Sequence, residues 1–285
     1  MGEGESLKEI RSQGQPQNPA PEFSEKDLLA GFEQVHISSH YKSYYMTKRH
    51  NFFATIQQFS YLWNSYMLMD RILCREFEIM MELRAPQLML PMVLFMNAHA
   101  KMRVAFELGS AGCLSEAHSI LRDAIESVAH ANRIASDPSL LKPWIEKNDG
   151  MTALESFKKE FEHDKTKRLF DGLPELHQLW KQFSEFGSHT NLNSIVSRFV
   201  IEQTPTHLQY RLNYCGAEPG MAVMVLFEMI LSFDQMESCI FKVCQDRLKL
   251  DLELPGMRSQ FALEKEKVRA HITKTYNVQR PASRP

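Results

Sequence analysis

The sequence lacks the short motifs that most often identify an enzyme. It has no glycine-rich phosphate-binding loop, no Gly-x-Ser-x-Gly nucleophile turn and no His-Glu-x-x-His metal motif. It also lacks a charge excess, because 33 basic residues stand against 35 acidic ones. The net charge of -2 gives no global attraction to nucleic acid or to an anionic membrane. No motif names a reaction or a cofactor, so we expect binding to depend on a local cluster of residues.

Long apolar runs and paired cysteines are missing as well. The longest apolar stretches, 88–95 and 221–233, are shorter than the ~20 residues needed to span a bilayer. The five cysteines are scattered and lack the short paired spacing of a zinc site, so we expect reduced thiols, no metal site and a cytoplasmic location. The first 21 residues are polar and have no apolar run, which argues against a secretory signal. We expect 1–23 to be a disordered tail.

Apolar residues recur at helical spacing through most of the chain. The pattern predicts helices at about 25–40, 47–83, 87–136, 152–170, 174–186, 217–248 and 257–275. Alternating apolar and polar residues on either side of a short proline-containing turn predict one small β-hairpin at about 197–214. The expected fold is mainly α, a multi-helix bundle that contains an antiparallel helical hairpin. The bundle domain is expected over 24–250, and a C-terminal helix with a basic tail over 251–285.

A nine-residue pattern occurs twice and provides the strongest signal beyond fold class. In each copy a His, an Arg and a Glu lie four residues apart and form one polar stripe on a helix; the residues are His99, Arg103, Glu107, His118, Arg122 and Glu126. Two glycines, Gly109 and Gly112, separate the copies and can end the first helix. An antiparallel hairpin turning near Gly112 would place the two trios level with each other. We therefore predict two polar ladders that face each other.

Two segments resemble a known group of proteins. Residues 106–126, followed by 134–138 and Trp144, have a small-residue turn, then Glu-Ala, two apolar residues, Arg and Glu. Together with the Ser/His segment 186–194, this run resembles uncharacterised bacterial helical proteins related to the HEPN group. The resemblance implies a helical bundle, frequent homodimerisation and, in some members, metal-independent RNA cleavage by an Arg followed after four to six residues by a His. Here seven residues separate Arg122 from His130, which departs from that spacing.

These patterns nominate three sets of residues. The candidate catalytic residues are Arg122, Glu126, His130 and His189. The candidate ligand-binding residues are Arg103, Arg122, His118 and Asn191. The candidate nucleic-acid contacts are Lys265, Lys267, Arg269 and Lys274 in the basic C-terminal region. Each set also has a purely structural explanation, since Arg and Glu at i,i+4 form helix ion pairs and small polar residues cap helices.

Three functions remain open from the sequence. The favoured one is a non-enzymatic, self-associating module that binds a partner or a small anion through the Arg/Glu/His centre. The first alternative is a HEPN-like ribonuclease in a defence or toxin system. The second is a di-metal oxidoreductase, because Glu33 with His36 and Glu160 with His163 have the Glu-x-x-His spacing of carboxylate-bridged bundles.

Overall fold

The structure is a computed structural model that describes residues 24–30, 32, 35–81, 85–162, 168–187, 199–204, 206–212, 215–216 and 219–276. The predicted tail and the candidates His189 and Asn191 lie outside these ranges. The helices are α1 Glu25–Leu28, α2 Ser39–Gln58, α3 Ser60–Met81, α4 Met89–Ser110, α5 Leu114–Ser136, α6 Leu141–Ile145, α7 Met151–Phe161, α8 Pro174–Gly187, α9 Pro219–Leu248 and α10 Leu254–Tyr276. Short 3₁₀ turns occur at Pro86–Leu88, Pro138–Leu140, Glu146–Asn148 and Arg168–Phe170.

The described chain is mainly helical, as predicted. Two five-residue strands, β1 Phe199–Gln203 and β2 Leu208–Leu212, pair antiparallel with Phe199 opposite Leu212. Both lie within 197–214, the span in which apolar and polar residues alternate. None of the described helices combines the length and the apolar character that a membrane crossing requires.

The first half of the bundle departs from the predicted helix boundaries. The spacing predicts one helix over 47–83, but the helix is interrupted at Phe59, whose φ of -119° and ψ of 43° end α2. Helix α1 starts at the predicted cap, Ser24, and already ends at Leu28. There Arg49 of α2 donates to the carbonyl oxygen of Leu28 at 3.2 Å. A side chain from another helix thus provides the hydrogen bond that this carbonyl group at the end of α1 lacks within its own helix.

The predicted helical hairpin is confirmed and consists of α4 and α5. Gly112 has a φ of +80°, and a Cβ there would lie 2.8 Å from the carbonyl oxygen of Cys215, so only glycine fits the turn. Two pairs cross the hairpin within one residue of the predicted level: Asn97 donates to Ser127 at 3.1 Å, and Lys101 lies 3.8 Å from Asp123. Small and apolar residues fill the buried faces of both helices and include Ala98, Met102, Ala105, Ala117, Leu121, Ala124 and Val128.

The remaining helices complete a single core around the hairpin. Helix α8 packs against α5, and α9 packs against α3, α4 and α5. Helix α10 packs on α3, and its buried residues Leu254, Phe261, Val268 and Ile272 belong to the same core cluster as those of α3 and α9. Three long helices, α3, α9 and α10, therefore meet along one side of the molecule.

Candidate functional site

The prediction that the two polar trios face each other is wrong. The α4 trio turns toward α3 instead, where Asp70 receives both of its basic members. The Nε2 atom of His99 lies 2.7 Å from Asp70 Oδ1, and Arg103 donates to Oδ1 at 2.7 Å and to Oδ2 at 2.9 Å. Burial opposes ionisation of Asp70, but the hydrogen bonds from His99 and Arg103 outweigh it and hold the pKa well below its usual value.

The α5 trio is spread over different neighbours. Arg122 pairs within its own helix, 3.3 Å from Asp123 and 3.7 Å from Glu126, while Glu126 accepts a hydrogen bond from Trp180 of α8 at 2.7 Å. The ring of His118 stacks on Phe183 of α8, and burial lowers the pKa of His118 to about 4. Small apolar residues occupy the seam between α4 and α5, so the polar stripes lie on its flanks rather than in it.

The structure brings only part of the predicted catalytic set together. Arg122 and Glu126 are neighbours, whereas the ring of His130 packs against Phe161 of α7, with centroids 5.0 Å apart. Arg122 and His130 are eight residues apart on one helix, a separation of about 12 Å. The position of His189 lies outside the described residues. The ribonuclease hypothesis therefore stays a prediction.

The basic residues of α10 are largely paired with carboxylates. Three of the four predicted nucleic-acid contacts are paired: Lys265 with Asp234 at 2.6 Å, Lys267 with Glu264 at 3.2 Å, and Arg269 with Glu266 at 2.6 Å. Lys274 is exposed near the end of the helix. Cations that are already paired gain less from a phosphate, so the predicted RNA contact would depend on breaking these pairs.

The two Glu-x-x-His motifs do not meet in the part of the chain that is described. Glu160 lies 3.2 Å from Arg133 and 3.6 Å from Arg168, so its carboxylate serves surface ion pairs. Glu33 and His163 fall outside the described residues. The di-metal hypothesis stays a prediction without a described ligand set.

A cleft between α3, α9 and α10 has none of the predicted site residues among its lining residues. Its volume is about 470 Å³, a size that suits a small organic molecule. Apolar residues from all three helices form most of its wall, and four charged side chains are among its lining residues. The lining comprises Met69, Ile72, Asp234, Glu237, Phe241, Leu248, Lys249, Pro255, Arg258, Ser259, Phe261 and Ala262.

The polar end of the cleft is built from Arg258 and a buried carboxyl group. The Nε atom of Arg258 lies 2.9 Å from Glu237 Oε1, and its Nη2 donates to Oε2 at 3.1 Å. The guanidinium carbon sits 3.9 Å from the ring centroid of Phe241. These contacts fix the orientation of the guanidinium. Within the described residues Nη1 of Arg258 has no hydrogen-bond partner, and the side chain is 31% exposed.

Behind Glu237 lies a second acid, Glu76 of α3, which is 0% exposed. Neither of its oxygens accepts a hydrogen bond from the described residues. Burial, reinforced by repulsion from Glu237, raises the pKa of Glu76 well above its usual value. A protonated Glu76 can donate its hydrogen to Glu237, which satisfies the pair with one shared proton. The pair and Arg258 then carry no net charge.

Comparison with protein-family models, with curated proteins and with solved structures gave no match. The resemblance to the HEPN group therefore stays a prediction.

Sequence reasoning missed the acids of this cleft, although a signal was present. Glu76 occupies the apolar stripe of α3, with the buried residues Ile72 and Met80 four positions before and after it. Glu237 likewise follows Phe233 by four residues on the buried face of α9. A single acid at a core position of an amphipathic helix is unusual and marks a buried polar contact.

Proposed function

We propose that the protein is a non-enzymatic binding module whose ligand is a small organic carboxylate with an apolar body, held in the cleft between α3, α9 and α10. The observation that carries the proposal is Arg258, which Glu237 and Phe241 hold in one orientation while its Nη1 group has no partner among the described residues. A guanidinium presented in this way suits a carboxylate, because it offers parallel N–H donors at little further cost in side-chain entropy.

The charge around the cleft favours an anion over a cation. Asp234 is neutralised by Lys265 at 2.6 Å, and Glu237 is neutralised by Arg258. Glu76 is uncharged when it holds its proton. Lys249, which also lines the cleft, leaves one net positive charge for a monoanion to balance.

The wall of the cleft favours an apolar body behind the carboxylate. Met69 and Ile72 of α3, Phe241 and Leu248 of α9, and Phe261 of α10 all line it. Burying an alkyl or aromatic group against these side chains contributes about 25 cal/mol for each Å² removed from water. Inorganic anions lack that contribution, so an organic acid is the better fit.

Titration calorimetry with the 285-residue chain tests the proposal. The probes are octanoate, its neutral analogue octanamide and the cation octylammonium, used below their micelle-forming concentrations. Octanoate should bind at least about tenfold more tightly than octanamide, because only the acid gains a charge-assisted pair with Arg258. Arg258→Gln should remove that preference. Arg269→Gln on the same helix is the matched control, since Arg269 pairs with Glu266 on the surface and, among the described residues, with no other carboxylate.

A second variant separates loss of the cleft from loss of the fold. Ala262 is exposed and lines the cleft, so Ala262→Trp should block it while leaving the core intact. Circular dichroism verifies the helix content of each variant. The proposal is wrong if octanoate fails to bind, if octylammonium binds more tightly than octanoate, or if Ala262→Trp binds as the unmodified protein does.

A further inference from the structure

Three potential metal ligands of different chemistry converge between α3 and α4. Asp70 and Cys74 lie one turn apart on α3, and His99 reaches them from α4. One carboxylate oxygen, the thiol sulfur and one imidazole nitrogen all lie within 4.8 Å of one another. All three ligands lie on helices, and the side chains of Asp70 and His99 are only 14% and 9% exposed.

A cation already lies against this group. The guanidinium of Arg103 donates to both oxygens of Asp70 and, through Nη2, to the sulfur of Cys74 at 3.1 Å. Its side chain is 50% exposed, so its charge can move into water while a metal ion takes its place beside Asp70. Arg103 is therefore a competitor for Asp70 and Cys74 that a metal ion could displace at modest cost.

We propose that Asp70, Cys74 and His99 form a three-ligand site for Zn²⁺ that Arg103 blocks by ion pairing with Asp70. Binding forms bonds from zinc to Asp70 oxygen, Cys74 sulfur and His99 nitrogen. Cys74 releases its proton to solvent, the ring hydrogen of His99 moves to the nitrogen that does not bind zinc, and Arg103 moves away with its charge unchanged. With Arg103 in place, the carboxylate and the guanidinium cancel. With zinc in place, the carboxylate and the thiolate cancel the two charges of the ion.

The donor set selects the metal. A thiolate, an imidazole and a carboxylate are the ligands that zinc takes in proteins, whereas Mg²⁺ and Ca²⁺ prefer oxygen donors alone. Three protein ligands leave a fourth tetrahedral position for water or a ligand atom, as in open zinc sites. The spacing i,i+4 on one helix with a third ligand from a neighbouring helix is the geometry that a bundle provides.

The test measures the zinc affinity of the 285-residue chain by competition with a chromophoric chelator. Cys74→Ser should weaken zinc binding by more than about 100-fold, because even outer-shell changes cost 10–100-fold. Arg103→Gln should strengthen it, by about tenfold, because it removes the competing cation. Cys239→Ser is the matched control: Cys239 is also half-buried but lies on α9, and its loss should change nothing.

Cobalt provides a readout that a merely structural role of the cluster would not move. Co²⁺ bound by Cys74 should give a sulfur-to-metal charge-transfer band in the near ultraviolet and the visible bands of a tetrahedral site. Cys74→Ser should lose the charge-transfer band, and Cys239→Ser should keep it. Zinc affinity unchanged by Cys74→Ser, or weakened by Arg103→Gln, would overturn the proposal. Because the cleft shares none of these residues, octanoate binding is independent of the result.

Discussion

Two carboxyl groups on the same helix behave in opposite ways. Asp70 and Glu76 are six residues apart on α3, yet the pKa of Asp70 is held below its usual value and the pKa of Glu76 is raised well above it. Asp70 lies near the surface between an imidazole and a guanidinium. Glu76 is fully buried, and the charged group that most strongly affects its pKa is another acid, Glu237.

The difference shows that the neighbouring groups, more than the residue type, determine whether a carboxyl group in this bundle is ionised or protonated. Helix α4 brings two basic groups to Asp70, and they repay its desolvation, so the ionised form is stable. Helix α9 brings an acid to Glu76, and a shared proton is the way to bury both groups. One site holds a fixed negative charge, and the other behaves as a neutral acid paired with an anion.

Removing the charge of Asp70 should have the largest effect on stability. Asp70→Asn leaves Arg103 and His99 without their carboxylate, and we expect the free energy of unfolding to fall by about 2–3 kcal/mol, the size of lost charge-assisted hydrogen bonds. Urea denaturation measures it. Asp123→Asn, at a carboxylate that is 45% exposed, is the control and should cost below about 1 kcal/mol. Equal losses in the two variants would contradict the comparison.

Replacing Glu76 should have a smaller effect on the free energy of unfolding, and that effect should depend on pH. Glu76→Gln resembles the protonated acid. The folded variant therefore needs no bound proton at this position, whereas the folded wild-type protein does. The pKa of Glu76 is higher in the folded protein than its unfolded value of 4.5. The stability that the protonated acid contributes to wild type is therefore full below pH 4.5 and is lost as the pH rises through the folded pKa. From pH 5 to 7 the variant should gain on the order of 1–2 kcal/mol relative to wild type.

The same measurement distinguishes the two carboxyl groups. The lowered pKa of Asp70 means that its contribution is present above its unfolded value of 3.8 and is lost only as pH falls through the folded pKa. The carboxyl group of Asp70 itself should therefore add no pH dependence between pH 5 and 7 to the difference between Asp70→Asn and wild type. A flat curve for Glu76→Gln instead would show that Glu76 is ionised in the folded protein.

The comparison also shows how far the sequence could be interpreted alone. Helical periodicity and the two glycines predicted the hairpin and its level to within one residue, because both are local properties of the chain. The partner of His99 and Arg103 is Asp70, which lies 29 and 33 positions before them in the sequence. A spacing of four residues indicates that two groups lie on the same face of a helix. Which element packs against that face is decided by the tertiary structure.

The cleft was harder to predict for the same reason. Glu76, Glu237 and Arg258 come from three helices, and no spacing connects them in the sequence. The buried acids themselves could be found as charged residues inside apolar stripes. Their pairing with each other and with Arg258 required the packing of α3, α9 and α10.

Substitution of Arg122, in the α5 copy of the repeated pattern, should have the smallest effect on the free energy of unfolding. Arg122 is 31% exposed and lies 3.7 Å from Glu126, and Glu126 keeps its hydrogen bond from Trp180 when Arg122 is removed. We expect Arg122→Leu to lower the free energy of unfolding by about 1 kcal/mol. Arg103→Leu is the matched change in the α4 copy and should cost more, since it strips Asp70 of two hydrogen bonds. Losses near 3 kcal/mol for Arg122→Leu in urea denaturation would mean that this pair is buried, as in self-association through α5, because an orphaned buried charge is costly.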